Sequence, residues 1–369
     1  MLEWKKLGEV CSFNRGKTIT AKDACDGDVP VIAGGQTPSY FHNESNRTGE
    51  SITVAGSGAY AGFVSYWNQP IFVSDAFTVD PKGPMLHKYI FHWLKMNQQR
   101  IFATQKGAGV PHVHGKDIAN FEIPVPSITE QTRIVGILDT FTASIENLKQ
   151  QIAQRRKQYE HYRDQLLDLE GKEGVEMKRL KEVFDTRNGY TPSTTNSLFW
   201  EGGTIPWFKM EDIRDNGRIL NDSNLHITPR AIKGKGLFKS NSIILATSAT
   251  IGEHALITVD HLCNQRFTNF FPKKDYMAKI DMKFIYYYMF IIDEWCRQHI
   301  NQGGFASVDM IGLYNLFIPI PSLAEQQRIV SILDTFEASI ANLEQQLAQR
   351  ERQYEYYRNQ LLTFKMNYK

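Results

Sequence analysis

One feature constrains this chain more than any other: it is an imperfect tandem repeat. Ile123-Pro-Val-Pro-Ser-Ile-Thr-Glu-Gln-Thr-Arg-Ile-Val returns 195 positions later as Ile318-Pro-Ile-Pro-Ser-Leu-Ala-Glu-Gln-Gln-Arg-Ile-Val. Internal repetition of this kind decides the architecture before any local reading does. Residues 123–167 and 318–362 align without a gap, with 32 of 45 positions identical. The same offset pairs Gly109 with Gly304, Asn120 with Asn315, and the aromatic segment around Ile90 with that around Ile285. Near the start of each copy the offset is 173, matching Glu3, Lys5, Leu7, Glu9 and Val10 to Glu176, Lys178, Leu180, Glu182 and Val183; the second copy is therefore longer by 22 residues. The last third of each copy is nearly the same sequence, whereas the middles have diverged almost beyond alignment. One segment meets the same demand twice. The other meets two different demands.

The repeated segment predicts a long helix. Ser127-x-x-Glu130 and Ser322-x-x-Glu325 carry the capping-box pattern, in which hydroxyl and carboxylate each satisfy a free backbone N–H. Pro124 and Pro126, like Pro319 and Pro321, hold the approach extended. Beyond the cap, an alternating four–three spacing runs through Ile134, Leu138, Phe141, Ile145, Leu148, Ile152, Arg155, Tyr159, Tyr162, Leu166 and Leu169. It runs again through Ile329, Leu333, Phe336, Ile340, Leu343, Leu347, Arg350, Tyr354, Tyr357, Leu361 and Phe364. Heptad spacing sustained this far predicts a coiled coil. About forty residues at 1.5 Å rise make a rod of roughly 60 Å. A helix lying back on its own globular domain is the alternative, but such a rod overreaches a domain of about 120 residues. If the copies stand about a pseudo-two-fold axis, the helices pair antiparallel, because a two-fold perpendicular to a rod reverses its direction.

The divergent middles read as mixed α/β. Val29–Gly34, Ser51–Gly56, Ile71–Val79, Ile205–Met210, Ser242–Ser248 and Phe267–Pro272 have the pattern of strands punctuated by Gly, Pro, Asn and Asp. Leu86–Phe102 and Lys283–Ile300 are expected to form one helix each, with Tyr89, Trp93, Tyr286, Tyr287 and Trp295 in the core.

Sites of catalysis are hard to find in this sequence. It contains no Pro-Pro, so it lacks the Asn/Asp-Pro-Pro-Tyr/Phe loop of adenine methyltransferases, and no G-x-x-x-x-G-K-[ST] phosphate loop. The glycines of Ala55-Gly-Ser-Gly-Ala-Tyr-Ala-Gly62 miss the G-x-G-x-x-G spacing by one, and the counterpart Thr247-Ser-Ala-Thr-Ile-Gly252 has lost most of them. Glu3-x-Lys5 and Glu176-x-Lys178 are fragments of a nuclease pattern without a paired acidic ligand. His112-Val-His114 has Ser307 and Asp309 as its repeat partners, so a polar loop is favoured over a chelate. The cysteines Cys11, Cys25, Cys263 and Cys296 form no Cys-x-x-Cys pair, and no run reaches the ~18 apolar residues that span a bilayer. The first residues, Met-Leu-Glu-Trp-Lys-Lys, lack the apolar core of a signal peptide, so a cytoplasmic location is expected.

A diverged domain, Ile-Pro-[Val/Ile]-Pro-Ser-x-x-Glu-Gln-x-Arg-Ile-Val, a long helix, and the same again resembles the specificity subunit of type I restriction–modification systems, from Leu2 to about Phe364. The divergent domains match that family in outline, through Ser57/Ala59/Gly62, Ala249/Ile251/Gly252 and Gly109/Gly304. The resemblance implies an α+β fold in which two mixed α/β target-recognition domains, residues 1–125 and 173–320, are separated by two long helices, 126–172 and 321–369, forming an antiparallel coiled coil. It implies a non-catalytic chain that reads a bipartite, asymmetric double-stranded DNA site. It also implies two modification subunits that bind S-adenosylmethionine and methylate adenine, and restriction subunits that use ATP and magnesium. No cofactor is expected in this chain, and no membrane partner.

Physical reasoning points the same way. A repeated surface suits a repeated partner, and different domains suit different half-sites, since sequence is read by residue-specific contacts to base edges. A stiff spacer then sets the half-site separation, about one helical turn or ~10 bp in the usual dimer geometry. The candidate DNA contacts are Arg47, Ser57, Tyr60, Lys106, His112, His114 and Lys116 in the first domain. In the second they are Lys209, Arg214, Lys233, Lys235, Ser248, Thr250, Arg266, Gln302 and Ser307. Net charge is only +1 over residues 1–122 and +2 over 174–317, so tight binding is expected to need the partner subunits. The alternative is a coiled-coil scaffold with two globular heads that binds no DNA, and the salt dependence of DNA binding separates the two.

Overall fold

A computed structural model describes residues 2–301 and 306–364. The chain forms two compact units, Met1–Ile152 with Asn342–Lys369, and Ala153–Ala341. Each unit contains one globular domain, the part of one long helix that adjoins it, and a part of the other.

In the first unit, a four-stranded antiparallel sheet has the order Cys11–Arg15, Ala76–Pro81, Glu50–Ala55, Val64–Asn68. A three-stranded sheet sets Val29–Ile32 between Tyr40–His42 and Phe72–Val73, the last pairing parallel. The expected single strand Ile71–Val79 is thus two strands in two sheets. It breaks at Ser74 and Asp75, where Ser74 N–H donates to Ile32 O (2.7 Å) and Asp75 O accepts from Gly56 N–H (3.0 Å). The expected helix Leu86–Phe102 is also two pieces, His87–Met96 and Gln98–Phe102. Between them Asn97 turns its side-chain amide back onto Trp93 O (2.9 Å), competing with the helix for that carbonyl. Tyr89, Ile90, Trp93 and Leu94 are buried against the four-stranded sheet as the aromatic spacing requires. Burial of an aliphatic side chain such as Ile90 or Leu94 stabilises by roughly 1.5–3 kcal/mol.

The second unit repeats this plan with an addition. Its main sheet is Phe184–Asn188, Phe267–Pro272, Ser242–Ala246, His254–Ile257, Ile219–Leu220, the fifth strand joining parallel. That strand and the helix Met210–Asn216 before it account for much of the extra length of the second copy. The helix Met282–Gln298 is unbroken and buries Tyr286 and Tyr287, while Trp295 is partly buried and stacks on His299 at 4.1 Å.

The two long helices run Ile128–Leu167 and Leu323–Leu362, 40 residues each. They pair antiparallel, and the contacts of one unit recur in the other with the helices exchanged. In the first unit Phe141 stacks on Tyr357 (5.2 Å) and Arg350 lies over Phe141 (5.7 Å). In the second, Phe336 stacks on Tyr162 (5.4 Å) and Arg155 lies over Phe336 (5.9 Å). Leu148 and Ile152 are buried in this seam, and Ile145, Ile340, Leu343 and Leu347 are half-buried. The heptad series is not one interface, however. Ile134 and Leu138, like Ile329 and Leu333, are wholly buried in the core of the adjoining globular domain. Each domain also receives the tail of the other helix, Leu361, Leu362 and Tyr354 in the first unit and Leu166, Leu167 and Tyr159 in the second. One periodic stripe therefore serves domain packing at its ends and helix pairing in its middle.

The capping box is half made. Ser127 Oγ accepts from Glu130 N–H and Ser322 Oγ from Glu325 N–H, both at 3.3 Å. The two carboxylates turn outward instead, to Arg133 and Arg328 (2.7 Å each), and these pairs hold both glutamates below the usual carboxylate range. What fixes each helix to its domain is the residue that follows. Gln131 is fully buried, donating to Pro126 O (3.0 Å) and Pro84 O (3.2 Å) and accepting from Leu86 N–H (2.9 Å). Gln326 repeats the lock with Pro321 O (2.9 Å), Lys279 O (2.8 Å) and Asp281 N–H (2.8 Å).

Candidate nucleic-acid interface

Five of the first-domain candidates meet on one surface. The glycine-rich segment Ala55–Gly62 is a tight turn between two strands, with Gly58 and Gly62 at positive φ, where L side chains are disfavoured. It packs on the loop 106–114 through backbone bridges from Ser57 and Lys106 to His112, and Gly58 N–H donates to Pro111 O (3.0 Å). Ser57, Lys106, His112, His114 and Lys116 thus share a face, with Tyr60 exposed beside them. The His112 and His114 rings are nearly parallel, 6.3 Å apart, as alternate residues on one side of an extended segment must be. Lys106 is ion-paired with Asp117, and the Ser57 hydroxyl donates to Asp75. Arg47 is engaged inward: its guanidinium donates to Asn46 O (2.8 Å), Arg15 O (3.3 Å) and Asn14 O (3.4 Å). The side chain it positions, Arg15, is absent from the sequence-derived set and reaches the shared face. The one signal was that its repeat partner is Asn188.

The second domain builds its face from the equivalent loops. Ser248 bridges to Ser307, as Ser57 does to His112. Arg266 is exposed at the adjoining turn, its carbonyl accepting from Thr247 N–H (3.0 Å). Asn264 N–H donates to Phe208 O (3.0 Å), which brings Lys209 alongside. Lys209 N–H caps onto Asp212 (2.7 Å), and Arg214 lies 3.9 Å from Glu253. Lys233 and Lys235 are exposed on a separate turn, tied by Lys233 N–H to Tyr190 Oη (2.9 Å). The Thr250 hydroxyl is buried and has no hydrogen-bond partner among the described residues. Gln302 lies outside the described residues.

Other chemistry has little to build on. The described residues hold no group of three or more His, Cys, Asp or Glu that could bind a metal. Glu3 pairs with Lys5 (2.8 Å) and Glu176 with Lys178 (2.7 Å), so the nuclease-like tripeptides are local ion pairs on short edge ladders. Cys11 and Cys296 are buried thiols, each pushed up to about 12 by burial and so held protonated. No helix among the described residues is long and apolar enough to cross a membrane.

Two heads built to one plan, with different loops on a common pair of helices, define a doubled recognition protein. The profile of the type I restriction modification DNA specificity domain matches residues 1–155 and 172–352. The chain belongs to this family of type I restriction–modification specificity subunits. It is 52% identical to the EcoprrI specificity subunit of Escherichia coli over 217 residues, which span 55% of this chain and about half (53%) of that relative. It is 31% identical to the E. coli EcoR124I/EcoR124II specificity subunit over 98% of this chain and 94% of the relative. In fold it is similar to a solved type I S subunit from M. genitalium, with TM-score 0.63 and 17% identity over 99% of this chain and 97% of that one.

Proposed function

We propose that this subunit reads a bipartite DNA site, one half with each globular domain, while its helices dock two copies of a modification subunit. The observation that carries the proposal is which exposed positions the repeat preserves. Arg133, Thr140, Asn147 and Gln154 recur every seven residues along one flank of the first helix, exposed, and match Arg328, Thr335, Asn342 and Gln349 on the second. In the first unit, a groove of 590 Å³ runs beside this flank, lined by Ala143, Ser144, Asn147, Leu148, Gln151, Gln346, Gln349, Arg350 and Gln353. Every one of these nine is identical to its counterpart in the other copy. On the opposite flank, Lys149 and Arg156 are replaced by Glu344 and Glu351. Folding needs the buried positions to agree; exposed polar positions contribute little to stability. Their selective agreement fits a partner that binds twice.

The recognition loops follow the opposite rule, as two unlike half-sites require. The DNA contacts are assigned to Ser57, Tyr60, Lys106, His112, His114 and Lys116 in residues 1–125, and in residues 173–320 to Lys209, Arg214, Arg266 and Ser307, with Lys233 and Lys235 on their separate turn. Adenine methylation with S-adenosylmethionine, and ATP- and magnesium-dependent cleavage by restriction subunits, belong to the partners in this reading. The setting is the cytoplasm.

Replacing residues 1–122 with the corresponding domain of a relative of different specificity, followed by sequencing of modified adenines, tests the assignment. One half of the methylated site changes and the other persists. Changes in both halves refute one domain per half-site.

A further inference from the structure

The first domain carries a cavity of 410 Å³ at the centre of its candidate face. Phe13, Phe77 and Val113 form its apolar floor, and the Gly56 backbone forms one wall. Around the rim stand Arg15, His112, His114 and Lys116, all exposed. Asp75 is the single carboxylate of the lining, and the Ser57 hydroxyl already donates to it. Among the described residues, the side chains of Arg15 and Lys116 have no hydrogen bond or ion pair, in contrast to Lys106, which Asp117 neutralises. Arg47, by donating to Arg15 O, holds the strand end that presents Arg15 to the cavity.

The second copy does not reproduce this rim. Asn188 stands at the position of Arg15 and receives a hydrogen bond from Thr268 (2.8 Å). Ser307, Asp309 and Ile311 replace His112, His114 and Lys116, and Asp309 is turned to cap Ile311 and Gly312 N–H groups (3.1 and 3.0 Å). Two cations become neutral side chains, and one imidazole becomes a carboxylate.

We propose that this cavity seats a backbone phosphodiester of the DNA at the first half-site, gripped by Arg15 and Lys116, and that the second domain holds its half-site without such a grip. The proposal rests on the DNA-reading function above. Unpaired cations around a concavity with an apolar floor focus their field on an approaching anion, and seating a phosphate there releases counterions from the DNA. A backbone group is favoured over a base edge because the two unpaired side chains of the rim, Arg15 and Lys116, are donors only, and the one carboxylate, Asp75, already receives the Ser57 hydroxyl. The rim therefore offers charge without the paired donor–acceptor pattern that distinguishes bases.

The experiment uses the full chain assembled with its modification subunits, comparing wild type with R15A, K116A and R15K. DNA affinity is measured from 50 to 200 mM salt on a cognate and a non-cognate duplex, and methylated sites are mapped. Losing one phosphate contact lowers the salt slope by about one, so the affinity lost across this range shrinks about 3.5-fold in R15A and in K116A. The loss of affinity is equal on both duplexes, R15K keeps the wild-type slope, and the methylation map does not move. An unchanged slope in both alanine variants overturns the proposal. So does an altered base in the modified site, which makes these residues base readers. ATP binding to the DNA-free assembly that disappears in R15A assigns the cavity to a free nucleotide and also overturns it. A wild-type assembly that methylates no defined sequence sinks the underlying reading instead, and is recognised before any variant is compared.

Discussion

Replacing Gln131 by Ala removes the lock between the first helix and its domain. Three hydrogen bonds are lost, at 2.9, 3.0 and 3.2 Å, from a side chain with no exposed surface. The Leu86 N–H is left without its acceptor and two proline carbonyls without their donor. A buried polar group stripped of its partner costs about 1–3 kcal/mol, and the proline carbonyls can recover part of this from water. The sum expected is roughly 3–5 kcal/mol. For a unit of about 180 residues, each kcal/mol shifts Tm by roughly 2–4 °C, so the first unit melts about 10 °C lower. Calorimetry resolves the two units if they unfold separately, and hydrogen exchange at the Leu86 amide reports the site directly. Gln326→Ala repeats the experiment within the same molecule, at bonds of 2.8–2.9 Å. A Tm change below 2 °C with Leu86 protection intact shows that the backbone rearranges around the gap, and the reasoning fails.

Three further outcomes are expected. Changing Arg155 and Arg350 together to Leu leaves Tm within a few degrees of wild type or higher, since each lies over a phenylalanine in a contact worth about 0.5–1 kcal/mol when exposed; a larger fall in a melting scan reveals a needed charge pair. Burial lowers the His261 pKa to about 4, against 6.5 for a free imidazole, so the unfolded chain binds the proton first as pH falls. Stability from this residue is complete above 6.5 and is lost down to pH 4, by about 3 kcal/mol; urea titrations across that window show a shallower decline in His261→Phe, and an equal decline refutes the assignment. A fragment of residues 1–172 pairs with itself through its own helix and, with modification subunits, methylates an inverted repeat of the first half-site. The self-pairing is weakened because the Lys149–Glu351 ion pair (3.5 Å) becomes Lys149 against Arg156, the repeat counterpart of Glu351. Arg156→Glu therefore tightens the fragment dimer several-fold in sedimentation, about 0.2–1 kcal/mol for each of two contacts; a strictly monomeric pair of fragments refutes the exchangeable helices.

The repeat made the architecture legible, because aligning the chain with itself separates what is held constant from what varies. It also exposed both helices, whose starts lie two residues inside the expected 126 and 321 while the first ends at Leu167 rather than at 172, and the aromatic core positions Tyr89, Trp93, Tyr286 and Tyr287. What stayed hidden was set by tertiary contacts. Ile134 and Phe141 belong to one periodic series, yet one is buried in a globular domain and the other meets the opposite helix, a division that periodicity does not encode. The Ser-x-x-Glu pattern suggested a carboxylate folded back onto the backbone, but an arginine three residues on competes for it. Arg15 lay outside the candidate set because a lone basic residue in a strand carries no local mark; only its convergence with His112, His114 and Lys116 gives it a role. Thr250 shows the converse, a polar loop residue whose hydroxyl is buried.

The twin junctions bear on the gene as well as the protein. Where the coding stretches are as alike as the amino-acid segments 123–167 and 318–362, they offer two homologous tracts within one reading frame. A crossover between them in frame deletes or duplicates one head together with one helix. Every product keeps a glutamine at the join, facing the same backbone groups, whichever head precedes it. New pairings of heads can therefore arise by recombination, without the intermediate mutations that would leave a junction unfolded. The exposed flank that the proposed function assigns to a repeated partner is inherited unchanged each time.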